Sequence, residues 1–322
     1  MRRQTGTPHL GGKMAEHKKT ALATGKPLKN QIKENWQLYL MLAIPLILTL
    51  VYKYIPMYGI QIAFRDYKAS RGFAGSKWVG MKWFSRFFNS PNAGRMIKNT
   101  FLLSLYSLLW GFPVPIILAL LLNQLANKKL KRVTQTVLYA PHFISIMIVC
   151  GMIRIFLSPS GGLLNLLLGT QTDFMAEASA FRPVYIISGI WQDAGWGCII
   201  YLATLGNIDS ALYEAAKIDG ASLWQRVKNI DIPQLMPTIV LQLIMSAGGL
   251  MNVGFEKVWL LQTDLNKATS DVIAVYVYQQ GIENAKYSYS TAVGLFNTVV
   301  NIILLVIVNK VSKKLNDEVS FI

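Results

Sequence analysis

The chain has 322 residues, of which 52% are hydrophobic and 15% charged, and its formal net charge is +16. Average soluble domains carry about 25% charged residues, whereas this chain gathers its apolar residues into runs of roughly 20, enough for a helix to cross a bilayer. A basic soluble chain would favour nucleic-acid binding. Here the Lys and Arg residues flank the apolar runs, as in proteins oriented by cytoplasmic positive charge beside anionic membrane lipid. The composition therefore indicates a polytopic membrane protein with no nucleic-acid partner.

The apolar runs predict an all-α protein with six transmembrane helices. They lie at about 38–58, 99–123, 134–157, 184–206, 236–261 and 291–310. Residues 1–35 are basic and broken by Gly and Pro, so we expect a cytoplasmic tail, because the following apolar run is too long for a signal peptide. The remaining predicted segments are a first transmembrane helix with an extracytoplasmic amphipathic loop (36–98), a transmembrane domain (99–315) and a cytoplasmic C-terminal tail (316–322).

Basic residues also predict the orientation of the spans. Eight Lys and Arg residues in 1–35, four in 124–133 and three in 310–314 place both termini in the cytoplasm. The segment 59–98 disagrees, because it should lie outside and yet carries eight basic residues. Its many aromatic side chains indicate an amphipathic segment on the membrane surface, so we retain the orientation with both termini inside.

The sequence offers no set of residues for catalysis or metal binding. Cys150 and Cys198 lie inside apolar runs, so we expect both to be small, buried hydrophobic side chains. His9, His17 and His142 are too scattered for a metal site. No phosphate-binding G-x-x-x-x-G-K-[ST] loop is present. We therefore expect this chain to be no enzyme and to hold no metal or cofactor.

The cytoplasmic connection at 207–236 has a helical pattern of its own. Asp209 or Ser210 can cap a first short helix, and Gly220 follows where a left-handed conformation would end it. A second helix should follow at about 221–230, and Pro233 and Pro237 should then break the path to the next span. A short helix presented in this way suits docking into a groove of another protein. An amphipathic loop lying against the membrane is the alternative.

This loop resembles the EAA motif of binding-protein-dependent ABC permeases, which reads Glu-Ala-Ala, three residues, Gly, nine residues, Ile, any residue, Leu, Pro. One position departs from it, since Ile232 replaces the leucine. The resemblance implies the type I ABC importer permease (MetI-like) fold, in which this loop is the coupling helix seated in a cleft of the ATPase subunit. The residues that match the motif, and that it assigns to coupling, are Glu214, Ala215, Ala216, Gly220, Ile230 and Pro233.

Three further stretches, 58–64, 139–145 and 252–258, resemble one branch of the carbohydrate-uptake permeases, and the likeness extends over about 36–315. It implies an importer of complex oligosaccharides from polysaccharide breakdown in a bacterial cytoplasmic membrane. It also implies the partners of such a permease: a second homologous permease, two ATPase subunits that bind ATP and Mg, and an extracytoplasmic solute-binding protein.

Polar side chains at mid-membrane depth are costly and usually face a cavity or a partner. The candidates for cargo contact in the fourth and fifth predicted spans are Gln192, Asp193, Trp196, Asn252 and Glu256. Amides and carboxylates can hydrogen-bond sugar hydroxyls, and aromatic rings stack on sugar rings. We expect Asn252 and Glu256 to lie one helical turn apart. Hydrogen bonding between helices is the alternative role for this set. Lys257, near a span end, is expected to be an interfacial anchor.

Two other functions remain open. A type I permease for another solute, such as phosphate, a metal or an amino acid, would share the 207–236 loop. An ion- or proton-coupled secondary transporter would need a relay of ionisable groups at the midplane and often shows inverted repeats. Neither the relay nor the repeats are visible in the sequence.

Overall fold

The computed structural model describes residue 33 and residues 35–315, with side chains as far as residue 310. The predicted tails at 1–35 and 316–322 lie almost wholly outside these residues. The described chain consists of helices and their connections, with one isolated β-bridge between Arg65 and Trp78 and no strand. The all-α prediction is confirmed.

The chain divides into two compact units, Met1–Ile60 and Gln61–Ile322. From Trp36 onward the first unit consists of one apolar helix, which extends to Phe64. This helix begins as α1 (Trp36–Thr49), passes through a π-helical turn (Leu50–Tyr54) and continues as a 3-10 helix (Ile55–Phe64). It is long and apolar enough to cross a membrane, as predicted for residues 38–58.

The second unit contains the other helices. The first seven are α2 (Lys82–Phe88), α3 (Ala93–Gly111), α4 (Pro113–Asn123), α5 (Lys128–Tyr139), α6 (Ile146–Phe156), α7 (Leu163–Leu168) and α8 (Ala178–Gly206). The next seven are α9 (Ser210–Ile218), α10 (Leu223–Arg226), α11 (Ile232–Gly248), α12 (Phe255–Leu261), α13 (Lys267–Ser270), α14 (Ile273–Tyr278) and α15 (Tyr287–Leu315). Short 3-10 helices lie at Ala69–Arg71 and Ala140–Phe143, and π-helical turns at Val227–Asp231 and Gln279–Glu283.

Five of the six predicted spans correspond to helices that are long and apolar enough to cross a membrane. Four are single helices, Trp36–Phe64, Ala93–Asn123, Leu223–Gly248 and Tyr287–Lys310, and a fifth is the bent pair Lys128–Phe143 and Ile146–Phe156 if the pair counts as one span. The remaining predicted span, 184–206, corresponds to α8, a helix of 29 residues. It is less apolar than the others because Gln192 and Asp193 lie at its middle.

The third predicted span, 134–157, is not one continuous helix. The chain leaves α5 through a 3-10 helix, and α6 continues at an angle of 94°. Pro141 has no N–H to bond back into α5. Ser145 then caps α6, its hydroxyl accepting from the Ile148 N–H at 3.4 Å. The proline and the cap together turn the chain.

The fifth predicted span, 236–261, is also interrupted. Helix α11 ends at Gly248, and residues 249–254 form no regular helix before α12 begins. Glycine inside a helix costs about 1 kcal/mol relative to alanine, and Gly249 and Gly254 bound the break. The expected helical turn between Asn252 and Glu256 is therefore wrong, because Asn252 lies in the break and Glu256 in the first turn of α12.

Helix α8 is the central element of the second unit and packs against α3, α4 and α11. Gly195 allows α5 to approach closely, since a Cβ atom there would lie 1.9 Å from the Leu138 carbonyl oxygen. Cys198, next to this crossing, is buried in an apolar cluster with Tyr201 and Leu235. The middle of α8 is thereby held between the turn that follows α5 and the break that follows α11.

Candidate functional site

A cavity of about 870 Å³ lies between α3, α4, α8, α11 and the segment that leads into α12. Its volume falls within the roughly 300–1,000 Å³ of typical ligand sites. Four of the five predicted cargo contacts line it, namely Gln192, Asp193, Asn252 and Glu256. The tertiary structure thus brings together residues that are about 60 positions apart in sequence.

Asn252 is held in place by the last helix. The Asn301 side chain of α15 accepts from the Met251 N–H at 2.7 Å and donates to the Asn252 side-chain oxygen at 3.1 Å. Asn297, one turn earlier, donates to the Met251 carbonyl at 3.2 Å. These amides satisfy backbone groups that the break in the helix leaves without helical partners. The side-chain NH₂ of Asn252 donates to no described protein group, so it is available as a donor to a ligand in the cavity.

Asn297 and Asn301 were not predicted as functional residues from the sequence. Two amides four residues apart share one face of a helix, and in an apolar span such a pair indicates an interhelical contact. That spacing was the signal that could have found them.

Gln192 and Asp193 bind the turn between α5 and α6 as well as lining the cavity. Gln192 is buried and donates from Nε2 to the Ile144 carbonyl at 3.0 Å. The Asp193 carboxylate lies 2.9 Å from His142 Nδ1. Gln192 is thus largely committed to a bond between helices, the alternative role named above, whereas the Asp193 side chain is 64% exposed and keeps an oxygen for a ligand.

Trp196 does not line this cavity. Its ring stacks on His142 with centroids 4.6 Å apart and meets the edge of Phe143 at 5.6 Å. This aromatic group holds the 3-10 turn against α8. His142 lies at the centre of this aromatic group, although the sequence indicated only that it belongs to no metal site. Among the described residues, no group of three or more His, Cys, Asp and Glu side chains could hold a metal ion.

Lys257 is not the interfacial anchor that its position near a span end suggested. Its side chain is buried, 7% exposed, and lines the cavity. The ammonium group lies 4.9 Å from the centroid of the Tyr185 ring, a cation–π contact. No carboxylate among the described residues lies within 4.0 Å of it. The cavity wall therefore carries a buried ammonium group that contacts an aromatic face and that interacts with the Asp193 carboxylate from beyond ion-pair distance.

The 207–236 loop forms the predicted helix–turn–helix. Asp209 caps α9, its carboxylate accepting from the Ala211 N–H at 2.9 Å. Gly220 has φ +73°, which confirms the predicted left-handed conformation. Around it the Ala221 N–H donates to the Ala216 carbonyl at 2.8 Å and the Gly220 N–H to the Lys217 carbonyl at 3.1 Å. These are the two bonds of a Schellman motif, which closes the end of α9.

The second helix of the loop continues into the membrane span instead of ending at its prolines. Ser222 and Gln225 form a capping box that begins α10. A π-helical turn at Val227–Asp231 then leads directly into α11. Pro233 is the second residue of α11, directly after the π-helical turn, so its missing N–H falls where the hydrogen-bond pattern of the helix changes. The predicted break at Pro233 and Pro237 is therefore wrong, and α10 and α11 form one continuous Leu223–Gly248 segment.

The outward face of this loop is exposed. Glu214 and Ala215 are exposed and Ala216 is half-buried. Beside them Ile218 is 87% exposed and Trp224 70%. Of the other motif residues, Ile230 is half-buried and Pro233 exposed. An apolar patch next to an acidic group is thus available for a partner.

A family profile described as "Binding-protein-dependent transport system inner membrane component" matches residues 111–317. The chain belongs to this family. It is therefore a membrane-embedded permease, the non-catalytic subunit of an ABC transporter, in which separate subunits hydrolyse ATP. The recognition made from the EAA motif is confirmed.

Individual relatives cover nearly the whole permease. Protein LplB of Bacillus subtilis is 42% identical over 89% of this chain and 91% of its own. The polygalacturonan/rhamnogalacturonan transport system permease YteP of the same species is 42% identical over 87% of this chain and 89% of its own. A chain of a bacterial ABC transporter that imports the acidic polysaccharide alginate has a TM-score of 0.82 and is 41% identical, over 90% of this chain and 100% of its own.

Proposed function

We propose that this permease forms half of the membrane pathway of an ATP-driven importer for oligosaccharides from polysaccharide breakdown. The observation that carries the proposal is a cavity of about 870 Å³ with amide, carboxylate and ammonium groups on its wall. Sugars offer many hydroxyls, and such groups bind them by donating and accepting hydrogen bonds. The polysaccharide substrates in the names of the relatives support the same cargo class.

The proposed assembly contains a second homologous permease, two ATPase subunits that bind ATP and Mg, and an extracytoplasmic solute-binding protein. A solved alginate transporter with TM-score 0.81 to this chain is in complex with a periplasmic protein bound to an alginate pentasaccharide, which supports the last partner. The basic-residue bias supports a bacterial cytoplasmic membrane location with both termini inside.

In the proposed mechanism, the 207–236 loop receives the motion of the ATPase. Ile218 and Trp224 supply the apolar part of the contact and Glu214 a charge at its edge, a combination suited to a docked helix. Closure of the ATPase subunits on ATP displaces the loop, and the spans rock between inward- and outward-facing states. The Asp209 cap and the Schellman motif at Gly220 hold the two ends of α9, so the helix moves as a unit.

Within the cavity, the side-chain NH₂ of Asn252 would donate to the cargo, and Asp193 and Glu256 would accept from its hydroxyls. Lys257 is the cation of the lining, and no described carboxylate lies within ion-pair distance (4.0 Å) of its buried ammonium, although Asp193 interacts with it from farther away. A buried charge favours an opposite charge nearby. The proposal therefore extends to sugars that carry a carboxylate.

Lys257→Met tests this cargo class, since it keeps an unbranched apolar side chain and removes the charge. We expect uptake of a uronate oligosaccharide to fall on the order of tenfold relative to its neutral methyl ester, equivalent to about 1.4 kcal/mol. Lys267→Met is the matched control, because Lys267 pairs with Asp264 away from the cavity. Equal losses for the acid and the ester would contradict the charge-specific role.

The broader function is tested by purifying the permease with its neighbours, screening the binding protein for oligosaccharides, and measuring cargo-stimulated ATP hydrolysis in proteoliposomes. Stimulation by oligosaccharides, and by no phosphate, metal or amino acid, is expected. Stimulation by one of those solutes alone would favour the other type of importer. Uptake that persists without any ATPase, and collapses with the ion gradient, would favour a secondary transporter.

A further inference from the structure

A buried carboxylate lies at the junction between the 207–236 loop and two membrane spans. Asp231, the last residue of the π-helical turn, has no exposed surface. Gln124, directly after α4, donates to its Oδ2 at 3.0 Å, and the Tyr213 hydroxyl of α9 donates to its Oδ1. A buried carboxylate is tolerated where donors satisfy it. Here the two donors come from two different elements.

Tyr213 is the main polar attachment of α9 to the rest of the second unit. Its neighbours Leu212 and Glu214 are exposed, whereas the tyrosine is partly buried. The bonds at Asp209 and Gly220 close the loop on itself and reach no other helix. The Asn123 side chain at the end of α4 lies beside the Tyr213 hydroxyl. A displacement of α9 by a partner on its exposed face would therefore reach the rest of the second unit through the Tyr213 side chain.

The chemistry of the contact suits a firm joint. Hydrogen bonds between a hydroxyl and a carboxylate are short and roughly twice as strong as those between neutral groups. Burial, together with the bond to Asp231, raises the pKa of Tyr213, so its hydroxyl stays protonated and remains a donor. The carboxylate itself lies on a π-helical turn, a feature frequent at functional positions in helices.

We infer that Asp231 is the positioning residue through which displacement of α9 reaches both α4 and α11. It lies between the Ile and Pro of the EAA motif, at the position where that motif accepts any residue, so the motif does not assign it. This inference rests on the proposed coupling function of the loop. In this arrangement the exposed patch of Ile218 and Trp224 binds the ATPase, whereas Tyr213, Asp231 and Gln124 transmit the movement.

The test uses Tyr213→Phe and Asp231→Asn in the complete importer reconstituted in proteoliposomes. Tyr213→Phe keeps the ring and removes only the donor, so it is the variant that retains packing if Asp231→Asn assembles poorly. We expect normal co-purification of the ATPase and retained basal ATP hydrolysis. Sugar uptake per ATP hydrolysed should fall at least about fivefold, the lower end of measured allosteric couplings. The double variant should be no worse than the stronger single one, because both break one joint.

Thr238→Val is the control, since its hydroxyl bonds Thr204 at 3.0 Å and links α8 to α11 without involving α9. This control should keep uptake per ATP unchanged. If Tyr213→Phe transports with unchanged stoichiometry, the inference is overturned, even if stability falls. If the unmodified permease recruits no ATPase at all, the proposed function fails first, and the joint has no movement to transmit. The two failures are therefore distinguishable.

Discussion

Gly220→Val perturbs the loop at one defined backbone angle. Gly220 has φ +73°, and no atom lies within 4 Å of the place where a Cβ would be. The cost therefore comes from the backbone alone, about 1–2 kcal/mol for a residue with a Cβ in the left-handed region, and a β-branched side chain is a genuine outlier there. Such a cost lowers the population of the native turn by a factor of roughly 5–30. The loop would relieve it by releasing the Schellman bonds and reorienting α9 against α10.

The assay is ATP hydrolysis and cargo uptake in proteoliposomes, together with the amount of ATPase that co-purifies. We expect Gly220→Val to insert and pair with the second permease but to lose ATPase association or transport. Gly220→Asn should behave nearly as the unmodified chain, because asparagine tolerates this conformation. Gly206→Ala, at an open position without positive φ, controls for the added methyl group. If Gly220→Val transported at the unmodified rate with full ATPase, the loop would be a passive connector and the reasoning would fail.

Three further predictions concern charge, cargo and orientation. Glu214→Lys reverses the charge beside the exposed patch and should reduce co-purified ATPase while leaving pairing with the second permease intact; unchanged ATPase binding would place the contact elsewhere. Asn252→Ala should weaken cargo-stimulated ATP hydrolysis without loss of the complex. Trp196 lies outside the cavity lining, so Trp196→Ala should act mainly on stability. The reverse pattern would exclude this cavity as the pathway. In a chain without native cysteines, Ser222→Cys should react only from the cytoplasm and Thr170→Cys only from outside, and reversed labelling would contradict the orientation.

Much of the 207–236 loop was predictable because its determinants are local. The Asp209 cap, the left-handed Gly220 and the two short helices all depend on residues within one or two turns of each other. The break predicted at the prolines is absent because a π-helical turn directly precedes Pro233 and allows the helix to continue into α11. Local rules describe single residues well, but they do not show how a neighbouring turn accommodates them.

The helical class, five apolar spans and the EAA motif could be predicted from the sequence, because hydropathy, capping and the motif are all encoded in consecutive residues. Which polar residues meet depends on the tertiary structure. Asn252 bonds Asn301 across 49 positions, and Gln124 bonds Asp231 across 107. It also separated Trp196 from the cavity and buried Lys257 inside it. A side chain's partner depends on how helices cross, and the pattern within one helix does not contain that information.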